Sequence, residues 1–506
     1  MLSQNKEIEI ISPTKMVLRG FEDPVTLKLL SSLLTYNDNR VDFELKKFKN
    51  RRAYGWFIAK YGEEAYDEKL AELKASKIKC LLKEEEDGTY TTHTGLVSYL
   101  QDKFPEVVVK NAVVYPEHER IAWDHVPTKT LRPYQTGALE ALLSVQHGAI
   151  SLPTGSGKSV TLLNLIKQVA LKGLVIAPSF SIADQLYKEA VHLFGKKKVG
   201  QFFDGKKESS KFLTIAINKS LINVKPGDEH YENIRACKLM MVDESHLLAA
   251  DTLAELCLGL LDCIPYRYFV SGTQLRNDGL DLLLNSIIGP IVYEKTLQEL
   301  VATGYLAKPD FKMIQLQSSG RHVDDPNVFT REFLYYNKKV NLIAGQLANL
   351  CVNQGKPVLI LVDEVEQFSH ILPHLTHQAA FAHGPLTAAN KKHVPKDYWE
   401  SDVNKLVKRF NDLEFPILCA TSCVTTGTDF TAPKVIIFLR GGKSEIDLRQ
   451  SVGRGTRKTP IKDSFEVYDF DVIVNSDEGS PTHRHARARE IIYRAIYPAF
   501  KTIILK

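Results

Sequence analysis

Short apolar segments rich in β-branched residues alternate with amphipathic stretches twice along the chain, and this pattern constrains the fold more than any other feature. The first set comprises residues 149–152, 173–177, 212–216 and 239–242, and the second comprises residues 357–362, 416–420 and 434–438. Strands buried in parallel sheets have continuous apolar runs, and helices connect them. We therefore predict an α/β fold with two tandem parallel-sheet domains.

Composition excludes several classes of protein. The 506 residues are 44% hydrophobic and 25% charged, which is typical of folded globular domains. No apolar run approaches the roughly 20 residues that cross a bilayer, and the start lacks the apolar core of a signal peptide. The seven cysteines form no Cys-x-x-Cys pair, which argues against zinc and disulfide sites. We expect a cytoplasmic protein without a membrane partner.

Changes of pattern predict four parts of the chain. Residues 1–125 mix short strand-like runs with helices, which indicates a small α+β N-terminal domain. The two parallel-sheet domains are expected at residues 126–305 and 306–475. Residues 476–506 are predicted to form a basic C-terminal helical extension, in which the helix at 484–494 could lie along a polyanion or be solvated on its own face.

A glycine-containing loop follows a predicted strand and precedes a predicted helix, as a phosphate-binding loop requires. Its residues are Leu152, Pro153, Thr154, Gly155, Ser156, Gly157, Lys158 and Ser159, so the first glycine of the strict pattern is missing. The two glycines allow backbone N–H groups to face a phosphate, and the helix start adds its positive dipole end. Lys158 is expected to reach the β- and γ-phosphates of ATP, and Ser159 to bind Mg²⁺.

An acidic box, Asp243-Glu244-Ser245-His246, ends another apolar run. Two adjacent carboxylates at the end of a strand repel each other unless a cation lies beside them. Asp243 is therefore predicted to hold Mg²⁺ through water, and Glu244 to polarise the water that attacks the phosphate. With the phosphate loop, this box predicts ATP hydrolysis.

Together, Lys158-Ser159, the Asp-Glu-x-His box and the segment 450–457 resemble the superfamily 2 helicases of DEAD/DEAH type, over residues 131–468. The resemblance implies two RecA-like motor domains and an ATP-dependent DNA helicase. It assigns catalytic roles to Lys158, Asp243, Glu244, His246, Gln450, Arg454 and Arg457. It also assigns nucleotide contacts to Arg132, Gln135, Gly427 and Asp429, beside those of the phosphate loop.

The same resemblance predicts where a nucleic-acid strand binds. The Ser271-Gly272-Thr273 motif would couple hydrolysis to strand movement, and the 426–429 motif would touch both strand and nucleotide. The expected backbone contacts are made by Pro178, Gln185, Asn218, Thr273, His383, Thr421 and Thr426. Contacts to phosphates carry no base readout, so sequence-independent translocation is expected.

Within the superfamily, the Asp-Glu-Ser-His box, the turn at 276–279 and the small N-terminal domain are most similar to the UvsW-type branch-migrating phage helicases. This similarity implies a monomer, in the host cytoplasm if phage-encoded. It would act on branched or forked duplex DNA in replication, recombination or repair, tracking along a single strand. The N-terminal domain would hold duplex near residues 46–52, where Tyr54, Trp56 and Phe57 follow a basic run. Core packing is the alternative role of those aromatic residues.

Other functions are compatible with the same motifs. An RNA-directed helicase and the translocating subunit of a restriction-type system would use the same motor. A non-enzymatic scaffold predicts a missing catalytic group, yet Ser159, Asp243, Glu244 and Arg457 are all present. The histidines of the second domain are expected to be ordinary surface and loop residues rather than metal ligands.

Overall fold

A computed structural model describes residues 6–119, 130–247, 250–272, 280–321, 323–399, 401–424, 428–460 and 462–505, without the side chains of 51–53, 247 and 250. The predicted contacts Thr273, Thr426 and Gly427, and the turn at 276–279, lie outside these residues. Two compact units are present: Met1–Ser151 with Ser159–Glu294, and Leu152–Lys158 with Lys295–Lys506. No helix in the described part of the chain is long and apolar enough to cross a membrane.

The N-terminal domain contains a five-stranded sheet and a helical insertion. Its strands are β1 Glu7–Ile10, β2 Lys15–Arg19, β3 Thr35–Asn37, β4 Ile78–Cys80, β5 Lys83–Glu84, β6 Tyr90–His93 and β7 Val108–Asn111, and its helices are α1 Pro24–Leu33, α2 Arg40–Phe48, α3 Arg51–Tyr61, α4 Glu63–Ala75 and α5 Val97–Lys103. The sheet order is β5-β6-β2-β1-β7, and β3 pairs with β4. Helices α2, α3 and α4 lie between β3 and β4 in the chain, so they form an insertion outside the sheet.

The first parallel-sheet domain is built on seven strands. Its elements are α6 Pro133–Leu143, β8 His147–Ser151, α7 Lys158–Val169, β9 Gly173–Ala177, α8 Phe180–Phe194, β10 Val199–Phe202, β11 Leu213–Ile217, α9 Asn218–Leu221, α10 Glu229–Arg235, β12 Leu239–Asp243, α11 Ala250–Glu255, β13 Tyr266–Ser271, α12 Asp281–Ile288 and β14 Ile291–Glu294. The order of this first sheet is β10-β11-β9-β12-β13-β8-β14. Residues of β9 and β12 are fully buried, which explains their continuous apolar runs.

The second parallel-sheet domain repeats this architecture. Its elements are α13 Leu297–Ala302, β15 Lys308–Ser318, α14 Pro326–Thr330, α15 Lys338–Asn353, β16 Val358–Val362, α16 Gln367–Ile371, β17 Ala379–Ala382, α17 Val403–Asn411, β18 Ile417–Ala420, β19 Val435–Leu439, α18 Glu445–Gly453, β20 Ser464–Val474, α19 Pro481–Ile496 and β21 Phe500–Leu505. The order of this second sheet is β17-β18-β16-β19-β20-β15-β21, and its strands are all parallel. The prediction of two tandem parallel-sheet domains after a small α+β domain is confirmed.

The basic stretch near the chain end is integrated into the second sheet. Helix α19 packs on β20, and β21 pairs with β15 at the sheet edge. Arg489 of α19 is 2% exposed and forms a buried ion pair with Asp469 at 2.7 Å, while His483 contacts Asp471 at 2.8 Å. Arg489 therefore contributes to the core, and is not on a free basic face of the helix.

Candidate functional site

The carboxyl edge of the first sheet gathers the acidic box and the predicted coupling motif. Strand β12 ends at Asp243, and its parallel neighbour β13 ends at Ser271. Ligands of open parallel α/β sheets bind at this edge, because the loops after the strands converge there. Ser159, at the start of α7, follows β8, which is the other neighbour of β13.

The two carboxylates of the acidic box differ in their surroundings. Asp243 is 4% exposed, and its Oδ1 accepts a hydrogen bond from Glu244 N at 2.9 Å. Glu244 has a φ of +46°, which is rare for a residue with a side chain and costs about 1–3 kcal/mol. Its side chain is 18% exposed. The backbone therefore holds Glu244 in an unusual conformation with its carboxylate within reach of water.

His246 joins the acidic box to the end of β13. Its imidazole is buried, and Nδ1 forms a short hydrogen bond with Ser271 Oγ. The same Nδ1 lies 3.5 Å from Glu244 Oε2. A change at Glu244 can therefore reach the segment after β13 through one buried side chain.

The phosphate loop has the backbone conformation that a phosphate cradle requires. Gly155 and Gly157 have φ values of +86° and +83°, which favour glycine. Lys158 begins α7, and its Nζ lies 3.5 Å from Leu152 O in the loop itself. The chemistry of the loop, N–H groups and one lysine, suits a nucleotide phosphate, and the hydroxyl of Ser159 and the carboxylate of Asp243 are oxygen ligands of the kind that Mg²⁺ prefers.

Gln135 lies at the beginning of α6, where the resemblance predicts a nucleotide-base contact. Its Oε1 accepts a hydrogen bond from Arg132 N at 2.9 Å, and Arg132 Nη1 donates to Tyr134 Oη at 3.1 Å. Gln135 is buried at 5% exposure. The side chain therefore caps the helix, which fixes its position at the site where it is predicted to act.

The second sheet brings both predicted arginines to one loop. Arg454, at the end of α18, is buried, and its Nη1 donates to Thr428 O. Arg457 forms an ion pair with Asp429, and both side chains are 42% exposed. Burial and the neighbouring Arg457 lower the pKa of Lys462 to about 8. The charged form of Lys462 is therefore disfavoured here, mainly by burial and further by Arg457.

Asn411, which belongs to none of the motifs in the sequence, holds that loop in place. At the end of α17, its Nδ2 donates to Asp429 O at 2.7 Å, and its Oδ1 accepts from Thr431 N at 2.9 Å and Ala432 N at 3.1 Å. An asparagine at a helix end usually reads as a turn residue. No local pattern in the sequence distinguishes this one.

Gln450 and the phosphate loop also have defined positions in the second unit. Gln450 is buried in α18. Within this unit, which includes Leu152–Lys158, Thr456 Oγ1 donates to Thr154 O at 2.9 Å. A Cβ atom on Gly453 would lie 2.5 Å from Thr154 Cβ, so only glycine fits there.

Two parts of the chain match known domain families. Residues 128–270 match the family described as the res subunit of type III restriction enzymes, and residues 338–459 match the helicase conserved C-terminal domain. The two matches cover the two motor domains in the order that the resemblance predicts. The chain is a superfamily 2 helicase. The predictions of this family and of an ATP-using helicase fold are confirmed.

Curated relatives of this helicase include viral and archaeal proteins. Helicase 22 of Sulfolobus islandicus filamentous virus is 25% identical over 381 residues, which cover 69% of this chain and 65% of the relative. The DNA 3'-5' translocase XPB2 of Sulfurisphaera tokodaii is 23% identical over 358 residues, which cover 65% of this chain and 79% of the relative. The helicase spans between 51% and 79% of the length of the first curated relatives that it matches.

Solved structures share the fold. A fragment assigned as the HsdR subunit of a type I restriction enzyme from Vibrio vulnificus YJ016 is 18% identical, with a TM-score of 0.53 over 76% of this chain and 70% of the fragment. T4 UvsW is 15% identical, with a TM-score of 0.42 over 99% of this chain and 100% of UvsW.

In the first domain, the residues predicted to contact a nucleic-acid strand lie after β9 and β11, which are neighbours in the sheet. Pro178 precedes α8, and Gln185 Nε2 donates to Glu189 Oε1 at 2.9 Å within that helix. Among the residues that the structure describes, Ser179 Oγ and Asn218 Oδ1 are buried side-chain atoms without a hydrogen-bond partner. Two polar atoms at one sheet edge therefore remain available to a ligand.

The predicted contacts of the second domain lie after β17 and β18. Thr421 follows β18, and its N–H donates to Ala382 O at 3.0 Å. His383 is 2% exposed, and its ring nitrogens lie 2.6 Å from Gly384 O and 2.7 Å from Tyr398 O. The imidazole of His383 therefore contacts protein carbonyls on both sides, so a phosphate contact here would use the adjacent backbone.

The remaining histidines of this domain occupy unrelated environments. His393 Nδ1 lies 3.1 Å from Glu366 Oε1, His370 lies 4.0 Å from the same oxygen, and His377 contacts Asn353. Within the described residues, no three or more His, Cys, Asp and Glu side chains form a group that could hold a metal ion.

Proposed function

We propose that this helicase is an ATP-dependent DNA translocase that remodels branched DNA by moving Holliday junctions, reversing forks and unwinding displaced strands. The observation that carries the proposal is the acidic box, in which a strained Glu244 lies beside a buried Asp243 and one buried histidine joins the box to the coupling motif. This arrangement links phosphate chemistry to the segment expected to move with the strand.

The residues at the first sheet edge have complementary roles in this proposal. Ser159 and Asp243 would hold Mg²⁺, which when bound supplies positive charge to the β- and γ-phosphates. Lys158 would leave Leu152 O to contact the same phosphates. Glu244 would orient the attacking water and take up its proton.

The arginines of the second domain would complete the reaction. Two guanidinium groups at the γ-phosphate would stabilise the charge that develops during phosphoryl transfer. Arg457 is the more available of the two, because its ion pair with Asp429 is exposed and such pairs contribute only about 0–1 kcal/mol. Release of Asp429 would therefore cost little free energy.

The N-terminal insertion supports DNA as the partner. Lys46 and Lys47 lie in the last turn of α2, and Trp56 and Tyr54 of α3 are 60% and 41% exposed. Phe57 instead packs with Phe48 at a ring-centroid distance of 5.1 Å. The aromatic run is thus divided between core packing and exposed rings, and Lys60 Nζ lies 5.0 Å from the centroid of the Trp56 ring, a combination that suits phosphate contact and base stacking.

A panel of substrates tests the proposed function. We would measure ATP turnover and strand movement on a four-way junction, a fork, a partial duplex and an RNA duplex. The proposal expects the highest ATP-dependent rates on the junction and the fork. Equal or higher rates on the RNA duplex would replace it with an RNA-directed helicase.

Charge reversal tests the role of the N-terminal insertion. Lys46→Glu with Lys47→Glu should weaken fork binding and reduce the dependence of Kd on salt by about two phosphate contacts. Lys74→Glu, an exposed lysine at the end of α4, is the matched control. Unchanged fork binding at all salt concentrations in the double variant would remove α2 from the DNA interface.

The match of residues 128–270 to a restriction subunit family favours a second candidate function, translocation within a restriction system. Such a system would cleave DNA when ATP is hydrolysed. Incubation of the purified chain with unmodified plasmid DNA, ATP and Mg²⁺ separates the two functions, since branch remodelling leaves plasmid strands intact.

A further inference from the structure

The N-terminal domain is attached to the two helices of the first motor domain that follow the motifs of the ATP site. Helix α11 begins at Ala250, shortly after the acidic box ends at His246. Helix α12 is the first described element after Ser271 and Gly272. Helices α11 and α12 also pack against each other. Both segments joined by the His246–Ser271 hydrogen bond therefore lead to this pair of helices.

The first contact is a close packing of backbone on backbone. The 3-10 turn Thr94–Leu96 packs on α12, and a Cβ atom on Gly95 would lie 2.4 Å from Ser286 O. His93 Nδ1 lies 2.8 Å from Ser286 Oγ, which itself donates to Leu283 O at 2.7 Å. Because the hydroxyl of Ser286 donates its proton to Leu283 O, His93 Nδ1 is the donor in its hydrogen bond to Ser286 Oγ. The turn and the helix therefore fit without space for a side chain.

The second contact is an ion pair to α11. Arg40 Nη1 lies 2.6 Å from Asp251 Oδ2. Two further nitrogens of Arg40 donate to Asp38, at 2.8 and 2.6 Å, and this pairing lowers the pKa of Asp38 to about 2. Because Asp38 fixes the guanidinium, Arg40 reaches α11 in one orientation.

Apolar side chains of the N-terminal domain pack in the same core as those of α11 and α12. Tyr36 of β3 belongs to the same buried cluster as Leu253 of α11 and Leu283 of α12. Leu282 packs against this cluster and also against the core of the N-terminal domain. A displacement of the N-terminal domain must therefore displace α11 and α12, since packed cores move as units rather than deform continuously.

We propose that Gly95, His93 and Arg40 are positioning residues that couple the N-terminal domain to the acidic box through α11 and α12. The consequence, which rests on the proposed function, is that DNA held by the N-terminal domain changes the rate of ATP hydrolysis. Coupling between two sites is reciprocal, so a bound nucleotide must also change the N-terminal domain.

Hydrogen exchange tests this reciprocity without any DNA. On binding a non-hydrolysable ATP analogue, peptides covering residues 34–40 and 93–97 should change their exchange in the wild-type chain. The change should persist in Gly55→Ala, since nothing lies within 4 Å of the added Cβ, and fall by at least about half in Gly95→Ala. If the hydrogen exchange of these peptides in the wild-type chain is the same with and without the nucleotide, the proposal is wrong.

A second set of variants avoids any risk to the fold, because Asp251 is exposed. Asp251→Arg places two arginines together and should lower DNA-stimulated kcat about fivefold to tenfold, with the KM for ATP and the Kd for DNA unchanged. Asp251→Glu should restore the wild-type rate. Glu255→Arg makes the same charge change on the same helix and is the control.

The two proposals fail in different ways. If DNA does not stimulate the wild-type chain but the exchange response is present and lost in Asp251→Arg, the DNA function is wrong and the coupling stands. If DNA stimulates the wild-type chain and Asp251→Arg equally, with the exchange response intact in both, the coupling is wrong and the DNA function stands.

Discussion

The two site edges of this helicase lie on two different seven-stranded parallel sheets, and their side chains are held in different ways. At the first edge, Asp243 and His246 are buried, and Glu244 is fixed by a strained backbone. At the second edge, Arg457 is 42% exposed and tied to a carboxylate that is equally exposed. The first edge is preorganised, while the second carries a group that can leave its partner.

This difference assigns separate tasks to the two domains. Preorganised groups stabilise a transition state without reorganisation at the moment of reaction. A movable arginine contributes only when it has been delivered, which makes hydrolysis conditional on a conformational step. In the proposed mechanism the first edge would therefore carry out the chemistry and the second would time it, and variants of each edge test this division.

The largest effect is expected at the first edge. Glu244→Gln keeps the size and shape of the side chain, but the amide of glutamine cannot accept a proton. The kcat for ATP hydrolysis should therefore fall about 10³-fold. ATP binding should persist, because the phosphate loop is unchanged. Steady-state turnover and fluorescent-nucleotide titration measure the two quantities, and hydrolysis at the wild-type rate would end the assignment of Glu244.

Removal of the movable arginine should have the next largest effect. Arg457→Ala should lower kcat about 10²-fold, less than for a lone arginine finger because Arg454 remains. Arg457→Lys should recover only part of the loss, since an ammonium lacks the planar fork of guanidinium. Single-turnover hydrolysis is the measurement, and an equal loss of ATP binding would make Arg457 a binding residue instead.

Ser271 tests the link that leads out of the first edge. Ser271→Ala removes the partner of His246 and should separate hydrolysis from movement. We expect strand displacement per ATP to fall about tenfold while ATP turnover changes much less. Ser245→Ala, a buried neighbour in the acidic box, is a comparison for loss of a hydroxyl. Equal loss of turnover and movement would show that Ser271 supports chemistry alone.

Asn411 tests the support of the second edge. Asn411→Ala removes three hydrogen bonds from the 429–432 loop that carries the partner of Arg457. We expect kcat to fall about threefold to tenfold, with the KM for ATP almost unchanged. Asn411→Asp keeps the two acceptor bonds and should lie between the alanine variant and the wild type.

The smallest of the expected effects is a loss of stability of the first sheet in acid. Burial lowers the pKa of His147, at the start of β8, to about 3, so the folded state keeps it neutral while the unfolded chain protonates it below about 6.5. Stability is therefore present above pH 6.5 and lost as the pH falls towards 3. The free energy of unfolding measured in urea should be about 2 kcal/mol smaller at pH 5 than at pH 7. His147→Gln should remove most of that difference.

Much of this architecture can be predicted from the sequence, because local patterns of residues determine it. Continuous apolar runs predicted four strands of the first sheet, β8, β9, β11 and β12, and three of the second, β16, β18 and β19. The motifs follow the ends of β8, β12 and β13. Those patterns depend on neighbours a few residues apart, which a single sequence shows.

The remaining features depend on partners far apart in the chain. Arg489 lies in the predicted basic helix, but its side chain is buried because it pairs with Asp469 of β20. His93 finds Ser286 193 residues away, and Asn411 is a loop anchor only because the 429–432 loop folds beside it. Such pairings arise from tertiary structure, so spacing alone could not reveal them.

One measurement tests the central claim most directly: branch movement on a mobile four-way junction, followed together with ATP consumption in the wild-type chain and in Glu244→Gln. The account predicts junction movement that requires ATP hydrolysis in the wild-type chain, and in the variant, junction binding without movement. Movement by the variant at the wild-type rate, or ATP consumption without any movement of DNA, would contradict it.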